Sequence, residues 1–256
     1  MIFLLYSGCN LTKGSVMMLF EPVYMIIILI TAVLSGITSM MVKGSFNRGK
    51  KVILRSGLTG SEVARKVLES ANIYDVKIEQ HSGFLTDHYN PTTKTLALST
   101  EVYSGRNAAS AGVAAHEAGH AIQHSHGYVP MYIRSAIVPA ANIGSTLGPY
   151  LVIFGIMLGA AEGVGLGYTL AVIGVLMFGA ATFFSVITVP VEFDASSRAK
   201  KELYSLRIID GDEELGAVSS VLRAAGLTYV AAAIGAILNL LYWAWRAGLL
   251  GGRRRD

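Results

Sequence analysis

Long apolar runs separated by polar stretches organise this chain of 256 residues. A hydrocarbon core about 30 Å thick needs roughly 20 apolar residues in a helix to cross it. Four segments approach that length: 24–42, which contains MIIILITAVL, then 147–161, 166–189 and 227–249. The second is short and the third long, with only the Gly-rich AEGVG between them, so they are expected to form a helical hairpin. The fourth ends in Leu241-Tyr242-Trp243-Ala244-Trp245, a place for interfacial aromatics, and reads as a crossing helix or one lying in the interface. The apolar run within 1–16 is too short for a span and lacks the basic start of a signal peptide, so Met17 or Met18 is an expected alternative start.

Between the first and second runs the periodicity changes. Thr59-Gly60-Ser61-Glu62 has the spacing of a capping box, and Val63, Val67 and Leu68 then fall on one helical face. Strand-like runs follow at 76–79, 83–85 and 95–98, with Asn90-Pro91-Thr92-Thr93 as a turn. A further helix is expected over 108–124, with Gly127 placed to end it. The expected divisions are therefore an N-terminal region and first span (1–42), an α+β domain (43–146), a membrane hairpin (147–190), a helical segment (191–226) and a last helix with its basic tail (227–256).

Composition agrees with a membrane protein. Hydrophobic residues make up 52% of the chain and charged residues 15%, against about 25% charged in a typical soluble domain. Mean hydropathy is +0.50. Cys9 is the single cysteine, which excludes an internal disulfide and a cysteine-rich metal site. The net charge of +4 comes from Lys and Arg clustered beside apolar spans, without interleaved aromatics, so nucleic acid is not an expected partner and the lipid bilayer is. Lys43, Arg48, Lys50, Lys51 and Arg55 follow the first span, and Arg198, Lys200, Lys201 and Arg207 follow the third. The positive-inside rule places these regions in the cytoplasm and the hairpin loop outside. Arg253, Arg254 and Arg255 run against that rule if the last helix crosses.

One pentapeptide carries the chemistry: His116-Glu117-Ala118-Gly119-His120. Histidines four apart on a helix share a face and can hold one metal ion, with the intervening glutamate positioned as a general base for a water molecule. A tetrahedral catalytic zinc site takes three protein ligands and keeps one position open. Three candidates compete for third ligand: His126, His124 and Glu192. His126 has the spacing of the third histidine in H-E-x-x-H-x-x-G-x-x-H enzymes, but Gln123 stands where those need glycine to turn the chain. Glu192 is preferred, because two crossings intervene after His120 and return the chain to the same membrane face. Pro190 suits a break before a new helix that aims Glu192 at the metal. His124 lies on the same helix face but too far along the axis to share a metal with His116, and fits a supporting role.

These blocks resemble a known family. Gly83-Phe-Leu-Thr-Asp-His-Tyr-Asn-Pro91, Leu96-Ala-Leu-Ser99, Val113-Ala-Ala-His-Glu-Ala-Gly-His-Ala-Ile-Gln123 and Pro190-Val-Glu-Phe-Asp-Ala-Ser-Ser-Arg-Ala199 are similar to those of the putative neutral zinc metallopeptidases of bacterial membranes, the YugP-like group. More distantly the chain resembles the membrane gluzincins, whose third ligand opens an E-x-x-A-D type helix. The resemblance implies a mainly α membrane protein of about four transmembrane helices with a small α+β gluzincin-like zinc peptidase domain. It implies Zn2+ on His116, His120 and Glu192, with Glu117 as catalytic base. The aspartate of the E-x-x-A-D pattern is Ser196 here, so an acid that orients a histidine would be Asp194 or another carboxylate.

The expected function is a multi-pass zinc endopeptidase of the cell membrane, acting on a peptide or membrane-protein substrate at the cytoplasmic face. Tyr89, His88 and Arg198 are candidates to stabilise the oxyanion, and 96–99 is a candidate edge strand for an extended substrate. ATP is not an expected partner, since the chain has no G-x-x-x-x-G-K-[ST]. The rivals are a zinc-binding scaffold without turnover, which the retained Glu117 argues against, and a transporter, which would need ionisable residues midway through the spans.

Overall fold

The computed structural model describes residues 21–160 and 163–250. The expectations about Met17, Met18 and Arg253 to Arg255 fall outside those residues. Among the described residues helices dominate, with a small three-stranded sheet, and four helices are long and apolar enough to cross a membrane. They are α1 (Pro22–Gly49), α5 (Val129–Met157), α6 (Gly165–Ser205) and α7 (Asp212–Arg246). The chain divides into two compact units, one comprising Gly36–Arg134 and Ile187–Val230, the other the remainder.

The first unit holds α2 (Gly60–Ser70), β1 (Lys77–His81), β2 (His88–Asn90), β3 (Thr95–Ser99), α3 (Thr100–Ser104) and α4 (Ala108–Ser125). The capping box forms: the Thr59 backbone N–H donates to Glu62 Oε2 at 2.7 Å, and the Glu62 N–H returns to the Thr59 hydroxyl at 3.3 Å. These bonds from Thr59, with Arg106 and Lys66 nearby, hold the Glu62 carboxyl below its usual range. Past this start, α2 buries Val63, Ala64, Val67 and Leu68, and α4 packs against it.

Strand order is β1-β3-β2, with β1 parallel and β2 antiparallel to β3. Leu96 and Leu98 of the central strand are fully buried. Two expectations change here. Residues 83–85 do not form a strand, because Gly83 and Leu85 have φ of 122° and 55°, outside the extended region. Pairing resumes at His88. Residues 96–99 are not an edge: Thr95 to Ser99 pair with β1 on one side, and Thr95 to Ala97 pair with β2 on the other.

In the other unit, α5 and α6 pair antiparallel as a hairpin, and α5 begins at Val129, well ahead of residue 147. Small residues set their separation. A Cβ on Gly144 would lie 2.0 Å from the Met177 carbonyl oxygen, and one on Gly148 2.9 Å from that of Gly174. Such close backbone approach is how helices associate where surrounding lipid is as apolar as the side chains. Tyr24 stacks on Tyr242 at 4.7 Å, and the Tyr242 hydroxyl donates to Glu21 Oε2 at 2.6 Å.

Pro190 does not break α6, which continues as one helix through Ser205. A proline removes one backbone donor, but long helices of this kind tolerate it where neighbouring groups supply alternative partners.

Candidate metal centre

Helix α4 brings both histidines onto one face. Its start is secured by Asn107, whose side-chain oxygen accepts the Ser110 N–H at 3.0 Å. Alanines then fill the faces packed against the core, so His116, Glu117 and His120 are buried with their helix. The two imidazoles sit 4.7 Å apart between centroids, edge to face.

Glu192, carried by α6, completes a cluster whose potential ligand atoms all lie within 4.8 Å of one another. Its Oε2 is 3.1 Å from His116 Nε2 and 3.5 Å from His120 Nε2. Its other oxygen, Oε1, faces Arg134 Nη1 at 3.4 Å. Close approach of the two helices depends on Gly119 inside the pentapeptide: a Cβ there would stand 2.7 Å from the Ala195 carbonyl oxygen.

Neighbouring groups determine which imidazole nitrogen carries the proton. The Gln123 amide donates from Nε2 to the Val191 carbonyl and to Asp194 Oδ2, both at 2.8 Å. Its Oε1 is therefore an acceptor, and at 2.9 Å it accepts a hydrogen bond from the His120 Nδ1–H. That leaves the His120 Nε2 lone pair pointing into the cluster. The Ser196 hydroxyl lies 3.1 Å from His116 Nδ1 and can play the same part there. With neutral imidazoles, two nitrogen lone pairs and a carboxylate oxygen converge without a donor among them, an arrangement that calls for a cation. Burial opposes a charge on His120, yet Glu192, Glu117 and Gln123 outweigh it and raise its pKa above the ordinary histidine range. Two nitrogens and one carboxylate oxygen, each supported from behind, are a donor set suited to zinc.

Glu117 is buried beside this group, and burial pushes its carboxyl pKa up despite the two histidines. It lines a cavity of about 240 Å3 together with His116, Glu192, Asp87 and Tyr229. Asp87, also raised by burial, accepts from the Ser99 N–H at 2.7 Å and the Ser99 hydroxyl at 3.1 Å.

Other residues singled out in the sequence lie elsewhere. Asp194 reaches His120 only through Gln123, and it also pairs with Arg198, whose Nε is 2.6 Å away. Arg198 in turn lies over the Tyr128 ring. The Tyr89 hydroxyl bonds His124 Nδ1 at 2.9 Å in a separate cavity beside Asp75 and Lys94, and burial pushes its pKa up to about 12. His88 is exposed, its Nδ1 on the Thr86 carbonyl. None of these three oxyanion candidates lines the cavity that holds Glu117. His126 caps the end of α4, exposed and outside the cluster.

Arg134, Tyr229, Asp87 and the amide of Gln123 were not singled out as site residues from sequence. For Gln123 a signal existed, because it follows His120 by three positions on one helix. For Arg134 and Tyr229 the only signal is a polar side chain within a long apolar helix.

Comparison with known proteins agrees with this geometry. A protein of Bacillus subtilis (strain 168) named "Putative membrane protease YugP" is 45% identical over 200 residues, which cover 78% of this chain and 85% of that protein. No solved structure matches the chain. The family model described as "Putative neutral zinc metallopeptidase" matches residues 24–248, and the chain belongs to that family.

Proposed function

We propose that this chain is a membrane-embedded, zinc-dependent endopeptidase of gluzincin type that hydrolyses peptide bonds at the cytoplasmic face. The observation that carries the reading is the convergence of His116 Nε2, His120 Nε2 and Glu192 Oε2 beside the buried carboxyl of Glu117. The basic residues following the first and third apolar runs support the cytoplasmic orientation.

His116, His120 and Glu192 would hold the zinc. When bound, zinc supplies Lewis acidity that lowers the pKa of water toward about 7 and polarises a carbonyl. Gln123 and Ser196 keep the imidazoles turned with Nε2 inward, and Arg134 holds the remaining oxygen of Glu192. Glu117 accepts the proton of the attacking water and delivers it to the amide nitrogen as the C–N bond breaks. The products are a carboxylate and an amine. Tyr229, on the wall of the same cavity, is the hydroxyl donor we assign to the developing oxyanion.

A scaffold without turnover has no use for a carboxyl placed as Glu117 is. Zinc analysis and a proteolysis assay on the detergent-purified chain separate the two readings. Glu117→Gln is expected to retain zinc while cleavage falls by roughly 10²–10⁴-fold, the usual weight of a general acid–base group. Cleavage at the wild-type rate by that variant would reject the mechanism.

A further inference from the structure

We infer that His81 and His88 form a second metal site, separate from the His116 cluster, that binds one divalent transition ion and clips the base of the loop 82–87. His81 ends β1 and His88 begins β2, so the two mark where that loop leaves the sheet and returns to it. Strand register sets them on one face. His81 pairs with Ser99 and His88 with Ala97, and these alternate along β3 with Leu96 and Leu98, which belong to the core. Both imidazoles therefore stand on the face away from those leucines. Between them β3 presents the short side chains of Ala97 and Ser99, which leaves the rings room to meet. Their centroids are 6.0 Å apart, edge to face, against 4.7 Å for His116 and His120. One ion bonded to a nitrogen of each ring at about 2.0–2.1 Å spans that gap after a small side-chain rotation.

Hydrogen bonding prepares one ligand in advance. The Thr86 carbonyl can only accept, so His88 Nδ1 carries the proton at 2.9 Å, and in the neutral ring Nε2 keeps its lone pair. Histidines that bind metals are held from behind in this way. Both side chains are exposed, so an arriving ion keeps water in its remaining positions. Negative charge is at hand: Glu79 shares the face of His81, and Asp87 lies close enough to feel charge on His88. Imidazoles suit copper and zinc, whereas magnesium and calcium take oxygen ligands. With two protein ligands instead of three, the site fills only after the cluster has. Its occupancy reaches the cavity beside Glu117 through the loop, because Leu85 and Asp87 line that cavity while neither histidine does. Leu85 holds a φ of 55°, a strained value for a residue with a side chain, so the loop can relax when its ends are free. An ion across those ends fixes their separation and steadies that wall of the cavity.

The test needs no turnover. The full-length chain in detergent, loaded with one equivalent of zinc, is titrated with further Zn2+ by calorimetry. The wild type should take up a second zinc, about tenfold or more weaker than the first. His81→Ala and His88→Ala should each weaken that second event by about tenfold or more and leave the first unchanged. Both positions are exposed, so both variants should unfold at the wild-type temperature. His126→Ala, at an exposed histidine outside the pair, should keep both events. Magnesium should not compete for the second site. In the wild type the second zinc should also slow amide hydrogen exchange across 83–87, and in His88→Ala it should not. Absence of a second event in the wild type would overturn the inference, as would a second event undiminished in both alanine variants. Exchange across 83–87 that is indifferent to the second zinc would overturn the clip.

Discussion

Leu96 and Leu98 on β3 are wholly enclosed, whereas Leu29 on α1 and Leu176 on α6 leave 62% and 69% of their surface open. The first pair belongs to the unit of Gly36–Arg134 and Ile187–Val230, the second to the other unit. In the first unit large aliphatic side chains leave water for a common core, and polar groups are buried only with partners. In the second, many large apolar side chains face outward, and although Val152, Tyr242 and Trp243 are buried, the closest contacts between α5 and α6 fall to Gly144, Gly148, Gly155 and Ala171. Hydrophobicity distinguishes inside from outside only where the solvent is water. Where lipid is the solvent, residue size takes over that role.

The same device, a glycine beneath a crossing backbone, therefore serves different ends in the two units. In one it lets Glu192 come up to the histidines, and in the other it holds a hairpin together. Several substitutions sharpen that contrast. Gln123→Leu removes the acceptor that orients His120 and leaves Asp194 and the Val191 carbonyl without their shared donor. Zinc affinity should fall by about 10–100-fold, the usual effect of losing a group that supports a ligand, as read by chelator competition. Gly119→Ala must push the Ala195 backbone away, so it should weaken zinc binding and cost about 1–3 kcal/mol of stability in thermal unfolding. Gly144→Ala meets a carbonyl oxygen still closer, yet it should lower thermal stability with zinc affinity unchanged. Equal losses of zinc affinity in the two glycine variants would erase the distinction. The smallest effect belongs to Thr59→Ala, which removes the cap of α2 and should cost about 1 kcal/mol without altering zinc content.

How far sequence could be read follows from the same contrast. The first and third apolar helices, the capping box at Thr59 and the helix carrying His116 and His120 depend on local spacing and start near their expected places, whereas α5 and α7 begin at Val129 and Asp212, well ahead of residues 147 and 227. Glu192 could be singled out because an even number of crossings constrains which face it reaches. Other features depend on distant packing or on single dihedral angles. Nothing in the letters Gly83-Phe84-Leu85 announces that Leu85 adopts a positive φ and delays β2 to His88. Pro190 suggested a break, yet the helix runs through it. Ser196 looked like a departure that removed support from a histidine, but its hydroxyl sits on His116 Nδ1, and Asp194 acts one step further back through Gln123. Arg134 and Tyr229 reach the cluster from α5 and α7, and no local periodicity links them to it.

The central claim is that two imidazoles and one distant carboxylate hold a single zinc ion. X-ray absorption spectroscopy on the purified, zinc-loaded chain tests it most directly. The account predicts one zinc per chain with two nitrogen neighbours at about 2.0–2.1 Å and a carboxylate oxygen at about 2.0–2.2 Å, and loss of that site in Glu192→Ala. An unchanged zinc spectrum at full occupancy in Glu192→Ala would contradict it.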